Sequence, residues 1–217
     1  MGQVTYTDDV RDALFTAVVG DVLDELGRTR QFLPASIRPL QPHHKVMGRA
    51  MPVRIADVFG PNSRPFGRLT EALDQLEPGE VYLAAAGRAR CAAWGEILTE
   101  TSMRRGAVGA VLDSYHRDTA KILKLDWPVF SWGPYAQDAQ LRTQVLDYRV
   151  PVQIGQVLVH PGDLVFGDID GVVVVPAEIE AEVIELALQR ATAENQVLES
   201  IRQGMSSTDA FAHYGIL

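Results

Sequence analysis

Glu96, Arg117 and Asp118 carry most of the chemistry that this sequence offers. Gly95-Glu96-Ile97-Leu98 lies where a strand and loop give way to a helix, and Arg117-Asp118 lies in the loop after the next strand. A helix start exposes unpaired N–H groups and the positive end of the macrodipole, which suits a substrate carboxylate. Loops that follow parallel strands open on the same edge of a sheet, so both segments can face one crevice. Arg117 brings a planar fork for a carboxylate or an adjacent ketone oxygen. Asp118 brings a hard oxygen of the kind Mg²⁺ accepts, since that ion takes one or two protein carboxylates and keeps several waters. Glu96 is expected to hydrogen-bond those waters, and His116 to stand at the pocket rim. Such a set would polarise a 2-keto acid and stabilise an enolate.

Each of these residues also has a purely structural reading. Asp118 starts a helix, where Asp is a preferred N-cap. Arg117 can pair with a surface carboxylate, and Glu96 can complement the helix dipole from the first turn.

The remaining polar residues point to less. His43 and His44 are adjacent, so on an extended segment they face opposite ways, a poor arrangement for sharing a metal. His160 belongs to the turn His160-Pro161-Gly162-Asp163. Asp163, Asp168 and Asp170-Gly171 lack EF-hand spacing and read as turn chemistry. Cys91 is the one cysteine and reads as a small buried residue. No G-x-S-x-G, P-loop or G-x-G-x-x-G pattern occurs.

The elements that must position these groups read as follows. Residues 8–27 read as helical, with Gly20 a candidate point of division into two helices, and residues 28–45 read as a Pro-rich loop. Strands are expected at 46–58, 81–87, 108–114 and 128–133, with Pro52 marking an edge or bulge in the first. Helices are expected at 67–76, 94–106 and from Asp118 to Leu125. The alternation of strand and helix predicts crossover connections and a parallel sheet. Residues 150–176 hold three short β-rich runs with an Asp170-Gly171 hairpin signal, and a long helix covers about 177–203 before Gly204. No linker separates these elements, so residues 1–217 read as a single domain.

Composition narrows the function classes. The 217 residues carry 20 Lys and Arg against 28 Asp and Glu, a net charge of −8. With no basic run or basic helix face, neither nucleic acid nor a membrane surface is an expected partner. No apolar stretch reaches the roughly 18 residues that span a bilayer. One cysteine cannot make an intramolecular disulfide and is compatible with a reducing cytoplasm, and the acidic N-terminus has no leader pattern.

WGEILTETSMRRGAVGAVLDSYHRD, followed by PVF and by PVQIGQVLVHPGDLVFGDIDGVVVVP, resembles the family that joins the regulator of ribonuclease E activity A to the 4-hydroxy-4-methyl-2-oxoglutarate aldolases. GDVLDELG at 20–27 also matches, and the resemblance runs from about residue 10 to 204. It implies an α/β fold, a swivelling β/β/α domain with a central mixed sheet, flanking helices and a long C-terminal helix. It implies trimers or dimers of trimers. It implies a class II pyruvate aldolase using Mg²⁺ or Mn²⁺, acting on small 2-keto acids and able to decarboxylate oxaloacetate. By the same resemblance Asp118 ligates the metal, Arg117 contacts keto and carboxylate oxygens, Glu96 orders the water around the metal, and the amides of Ile97 and Leu98 receive the pyruvyl carboxylate. A neighbouring subunit's carboxylate completes the set, with Glu194 the candidate and Glu199 the alternative. The family also contains non-catalytic regulators that bind an RNA-degrading enzyme or another protein partner, and an acidic surface would suit a basic partner. The chain departs from the family's Asp-Gly-small-small pattern at Asp113-Ser114-Tyr115-His116.

Overall fold

The computed structural model describes residues 6–61, 64–87 and 90–216. Residues 1–5, at the start of the N-terminal leader reading, lie outside that set. Helices α1 (Asp8–Ala13) and α2 (Thr16–Glu25) open the chain, and β1 (Arg38–Pro39) leads into the long strand β2 (Val46–Asp57). Next come β3 (Phe66–Gly67), α3 (Leu69–Asp74), β4 (Glu80–Ala85), β5 (Ala92–Trp94) and α4 (Glu96–Arg104). They are followed by β6 (Gly109–Leu112), β7 (Tyr115–His116), α5 (Thr119–Leu125) and β8 (Val129–Ser131). The second half holds β9 (Thr143–Tyr148), β10 (Val152–Ile154), β11 (Val157–Val159), β12 (Leu164–Asp168) and β13 (Gly171–Val175). Helices α6 (Glu180–Arg202) and α7 (Ser207–Tyr214) close the chain.

The main sheet has the order β1-β8-β6-β4-β2-β12-β13, with β9 on the far half of β2. Strands β2, β4, β6 and β8 run parallel, as their helical crossovers require, while β12 and β9 pair with β2 antiparallel. The sheet curls until its ends approach each other. Arg38 Nη1 donates to the carbonyl of Ile169 at 3.2 Å, and Phe32 bridges Val173, so the β1 end returns to the β12–β13 turn.

Strand alternation assigns the cores. Val81 and Leu83 point into the barrel with Val111, Phe130, Val165, Val172 and Val174, and the hairpin β10–β11 adds Val152, Ile154, Val157 and Val159. Tyr82 and Ala84 point the other way, toward Leu73, Trp94, Ile122 and Trp127 beneath α3, α4 and α5. Phe166, Val173 and Val175 pack on Val18, Val22, Val183 and Ala187 of α2 and α6. Strands covered on both faces read as continuous apolar runs, which is why VYLAAA and GVVVV look alike in sequence.

Several expectations need correction. The first helical stretch divides at Leu14-Phe15, not at Gly20, because Asp168 draws the chain in there. Gly20 lies inside α2, where a Cβ would come within 2.2 Å of the Phe32 ring. Pro52 is neither on an edge nor at the bulge, which falls between Arg54 and Ile55. Along the flank that faces β12 and then β9, β2 pairs with β12 as far as Arg49 and with β9 from Val53, so the missing N–H falls at the change of partner. Residues 150–176 hold four strands, not three, and β9 and α7 add elements the sequence reading did not place. No helix of the described residues is long and apolar enough to cross a membrane.

Asp168 shows how the turn cluster works. Its carboxylate accepts from Thr16 N at 2.7 Å, Thr16 Oγ1 at 2.6 Å and Asp170 N at 2.9 Å. It therefore satisfies the start of α2 and the β12–β13 hairpin together. Asp168→Ala is expected to cost about 2–3 kcal/mol, a lost cap plus a buried hydroxyl left without its acceptor. Urea unfolding of the two proteins measures that difference, and a loss below about 0.5 kcal/mol would contradict the assignment.

Candidate active site

The loops after β4, β6 and β8 leave the same edge of the sheet and are tied to one another. Strands β5 and β7 pair in parallel, Arg117 N donates to Trp94 O at 3.0 Å, Tyr135 N donates to His116 O at 2.8 Å, and Ala92 N donates to Gln137 O at 2.7 Å. Trp94 anchors the first loop. It is buried, stacks on Trp127 at 6.2 Å with planes 8° apart, and donates from Nε1 to Thr99 Oγ1 at 2.8 Å. This lashing holds Gly95, Arg117 and Asp118 on one wall of a cavity of about 430 Å³.

Asp118 has φ 59° and ψ 30°, a left-handed backbone that Asp tolerates better than most residues. Its side chain makes no cap bond to α5, which argues against the simple N-cap reading. The carboxylate instead reaches the start of α4, where Glu96 N donates to Oδ2 at 3.3 Å. A Cβ on Gly95 would stand 2.6 Å from that oxygen, so the absence of a side chain there makes room for the approach. Arg117 lies beside it, with Nε 4.0 Å from Asp118 Oδ2 and Nη1 3.4 Å from Asp138 Oδ1. Arg117 and Asp118 are each 40% exposed and remain open to a ligand.

The other expected residues fall as follows. Ile97 and Leu98, in the first turn of α4, line the same cavity with Phe66, Leu69 and Leu73. Glu96 turns its carboxylate to Lys121, whose Nζ donates to Oε2 at 2.6 Å. That contact with Glu96 and the nearby Asp118 charge raise the Lys121 pKa. His116 is not a rim group. It is 1% exposed, with Nδ1 2.7 Å from Ser131 Oγ, and burial lowers its pKa, which favours the neutral ring. Tyr115 packs edge-on against Trp132 at 5.4 Å, so the bulky stretch 114–116 supports the loops from behind. Glu194 pairs with Arg190 at 3.6 Å, and Glu199 accepts from Gln203 Nε2 at 2.8 Å, so within this chain both carboxylates are engaged along α6.

Two residues escaped the sequence reading. Lys121 lies three positions after Asp118, the spacing that puts both on one face of a helix start, so its signal was present. Asp138 lies in an irregular loop with no periodicity to announce it. His43 and His44 also differ from expectation. A turn in which His44 N donates to Gln41 O at 3.0 Å removes the strand-like alternation, and both rings meet Asp126.

The hard-oxygen donor Asp118, with room beside it for water, fits a divalent cation of the Mg²⁺ or Mn²⁺ class. The guanidinium of Arg117 and the first N–H groups of α4 fit a carboxylate. The apolar wall lowers the local dielectric, which strengthens both.

The known proteins similar to this chain carry the same combination of names. Residues 9–174 match the RraA-like family model, described as Aldolase/RraA. Protein DlpA of Legionella pneumophila is 27% identical over 203 residues, spanning 92% of this chain and 32% of that protein, so the chain covers about a third of that relative's length. A protein of Halalkalibacterium halodurans named "Putative 4-hydroxy-4-methyl-2-oxoglutarate aldolase" is 31% identical over 176 residues, covering 81% of this chain and 79% of its own. The crystal structure of Streptomyces coelicolor RraAS2, described as an unusual member of the RNase ES inhibitor RraA protein family, has a TM-score of 0.77 at 28% identity, covering 89% of this chain and 98% of that one. With its fold and most of its length matched, the chain belongs to the RraA-like family.

Proposed function

We propose that the chain is a divalent-metal-dependent carbon–carbon lyase. It cleaves 4-hydroxy-2-keto acids of the 4-hydroxy-4-methyl-2-oxoglutarate type to pyruvate and decarboxylates oxaloacetate. The observation that carries this reading is the Asp118 carboxylate, turned away from its own helix to stand at the start of α4 beside the Arg117 guanidinium. Family relatives named as aldolases support the same class.

Asp118 would hold Mg²⁺ or Mn²⁺, which supplies, when bound, a positive charge that draws electrons from the substrate ketone. Arg117 directs its fork at the keto and carboxylate oxygens, and the N–H groups of Ile97 and Leu98 receive the carboxylate. Breaking the C3–C4 bond leaves its electron pair in a pyruvate enolate, whose oxygen Arg117 faces. Oxaloacetate loses CO₂ to give the same enolate. The 4-hydroxyl proton leaves as C4 becomes a carbonyl, and C3 of the enolate takes up a proton in return; Glu96, steadied by Lys121, would order the water that carries it. The proposed assembly is a trimer or dimer of trimers, in which a carboxylate from a neighbouring copy, Glu194 or Glu199, closes the site.

Pyruvate release from oxaloacetate and from 4-hydroxy-2-keto acids, with Mg²⁺, with Mn²⁺ and with excess chelator, tests the reading. Turnover that chelator leaves intact would refute the metal role. The family likeness to an RNase inhibitor and the charge of −8 favour a second reading, a regulator that binds a basic surface of a ribonuclease. No turnover, together with tight capture of such an enzyme, would select it.

Gly95→Ala probes the geometry. Its backbone is extended, so alanine is tolerated locally, but the new Cβ displaces Asp118 Oδ2. A displacement of about 1 Å is expected to lower kcat/KM roughly a hundredfold with the fold intact. Wild-type kinetics in Gly95→Ala would show that Asp118 need not stand where it does.

A further inference from the structure

We propose that His43, His44 and Asp126 form a second metal site, for a borderline dication of the Zn²⁺ class. The three side chains each offer one ligand atom, and those atoms all lie within 4.8 Å of one another. Two imidazole nitrogens and one carboxylate make a donor set that suits Zn²⁺ and its neighbours and leaves a fourth position for water, whereas Mg²⁺ prefers oxygen alone.

Both histidine–carboxylate separations are close to what such an ion needs. Ligands about 2.0–2.1 Å from a tetrahedral ion stand roughly 3.3 Å apart. His44 Nε2 is 3.3 Å from Asp126 Oδ1, and His43 Nε2 is 2.7 Å from it. His43 is 61% exposed and has room to move outward by the remaining half ångström.

The frame around the cluster is fixed. The His44 ring is buried, and its backbone N–H is bound to Gln41 O. Asp126 is held at φ 47° just before the buried Trp127, whose Nε1 donates to Ala107 O at 3.1 Å. Lys45, the nearest cation in sequence, is turned away onto the carbonyls of Arg11, Asp12 and Leu14.

Without metal the arrangement is over-subscribed. Gln41 Nε2 at 3.0 Å joins both histidines on the single oxygen Asp126 Oδ1, three nitrogens around an atom with about two lone pairs. A cation would replace two of those N–H contacts by lone-pair bonds. The site stands before β8, whereas the Arg117–Asp118 cavity opens beyond the far ends of the parallel strands, so the two are separate.

Calorimetric titration of the chelator-stripped full chain with ZnCl₂ tests this. Wild type and Asp118→Asn are expected to share one binding event that His43→Ala and Asp126→Asn each weaken about tenfold or more. Both substitutions suit their places: position 43 is exposed, and Asn tolerates the left-handed backbone at 126. Co²⁺ in place of Zn²⁺ should give a visible absorption band present in Asp118→Asn and lost in His43→Ala. Zn²⁺ binding unchanged in both cluster variants, or equal competition by MgCl₂ at this event, would overturn the site.

Discussion

Asp118→Asn is expected to abolish pyruvate release, lowering kcat/KM by on the order of a thousandfold or more, while the protein still folds. The two halves of that expectation come from different features of the same side chain. Asn keeps the shape and tolerates the left-handed backbone at φ 59°. It can still accept from Glu96 N, and at 40% exposure little burial is at stake, so stability should change by roughly 0.5 kcal/mol or less. What Asn removes is the negative charge. A bound cation contributes several kcal/mol to transition-state stabilisation, and each 1.36 kcal/mol is about tenfold in rate. Steady-state pyruvate assays and a thermal melt on the same preparation separate the two outcomes. Calorimetry with Mn²⁺ adds a readout that does not depend on turnover, and it should show the affinity falling with the charge. Wild-type kinetics in the variant would remove Asp118 from the chemistry. Lost activity with a collapsed melt would make it a structural residue instead.

Much of this site is legible in the sequence, and for identifiable reasons. Gly95-Glu96 and Arg117-Asp118 could be brought together on paper because parallel strands send their following loops to one edge. Element order alone is enough for this, and the apolar runs 81–85 and 109–112 supply it. It does not say where a side chain turns. The left-handed backbone of Asp118 and its reach to α4 depend on the lashing between β5 and β7, which no local propensity encodes. His116 illustrates the same limit. Neighbours in a strand face opposite ways, so a rim position for one implies burial of the other, and the sequence Tyr115-His116 does not say which. The structure buries His116 on Ser131 and leaves Tyr115 among Trp132 and Tyr135. Asp138 was invisible because its loop has no period. The histidine pair misled because a strand rule was applied to a turn.

Glu180→Ala is expected to be the most destabilising of the polar substitutions considered, at about 3–5 kcal/mol. Glu180 opens α6, is 5% exposed, and takes a two-pronged contact from Arg49, with Nη2 at 2.7 Å from Oε1 and Nη1 on Oε2. Arg49 belongs to β2 at the end of its pairing with β12, so this one contact fastens the C-terminal helix to the centre of the sheet. Removing the carboxylate leaves a guanidinium at 11% side-chain exposure that has lost its main counter-charge. The penalty comes from keeping a buried guanidinium beside a lost carboxylate more than from the attraction lost, and this distinction can be measured. If it holds, a paired replacement by apolar side chains of similar volume, Arg49→Met with Glu180→Leu, should recover most of the loss, because both charges are then removed together. Urea unfolding of wild type, Arg49→Met, Glu180→Leu and the double variant gives the cycle, with Glu180→Ala measured beside it. Single losses below about 1 kcal/mol would mean that water reaches Arg49 and that α6 is held by its apolar face alone, through Val183, Ile184 and Ala187.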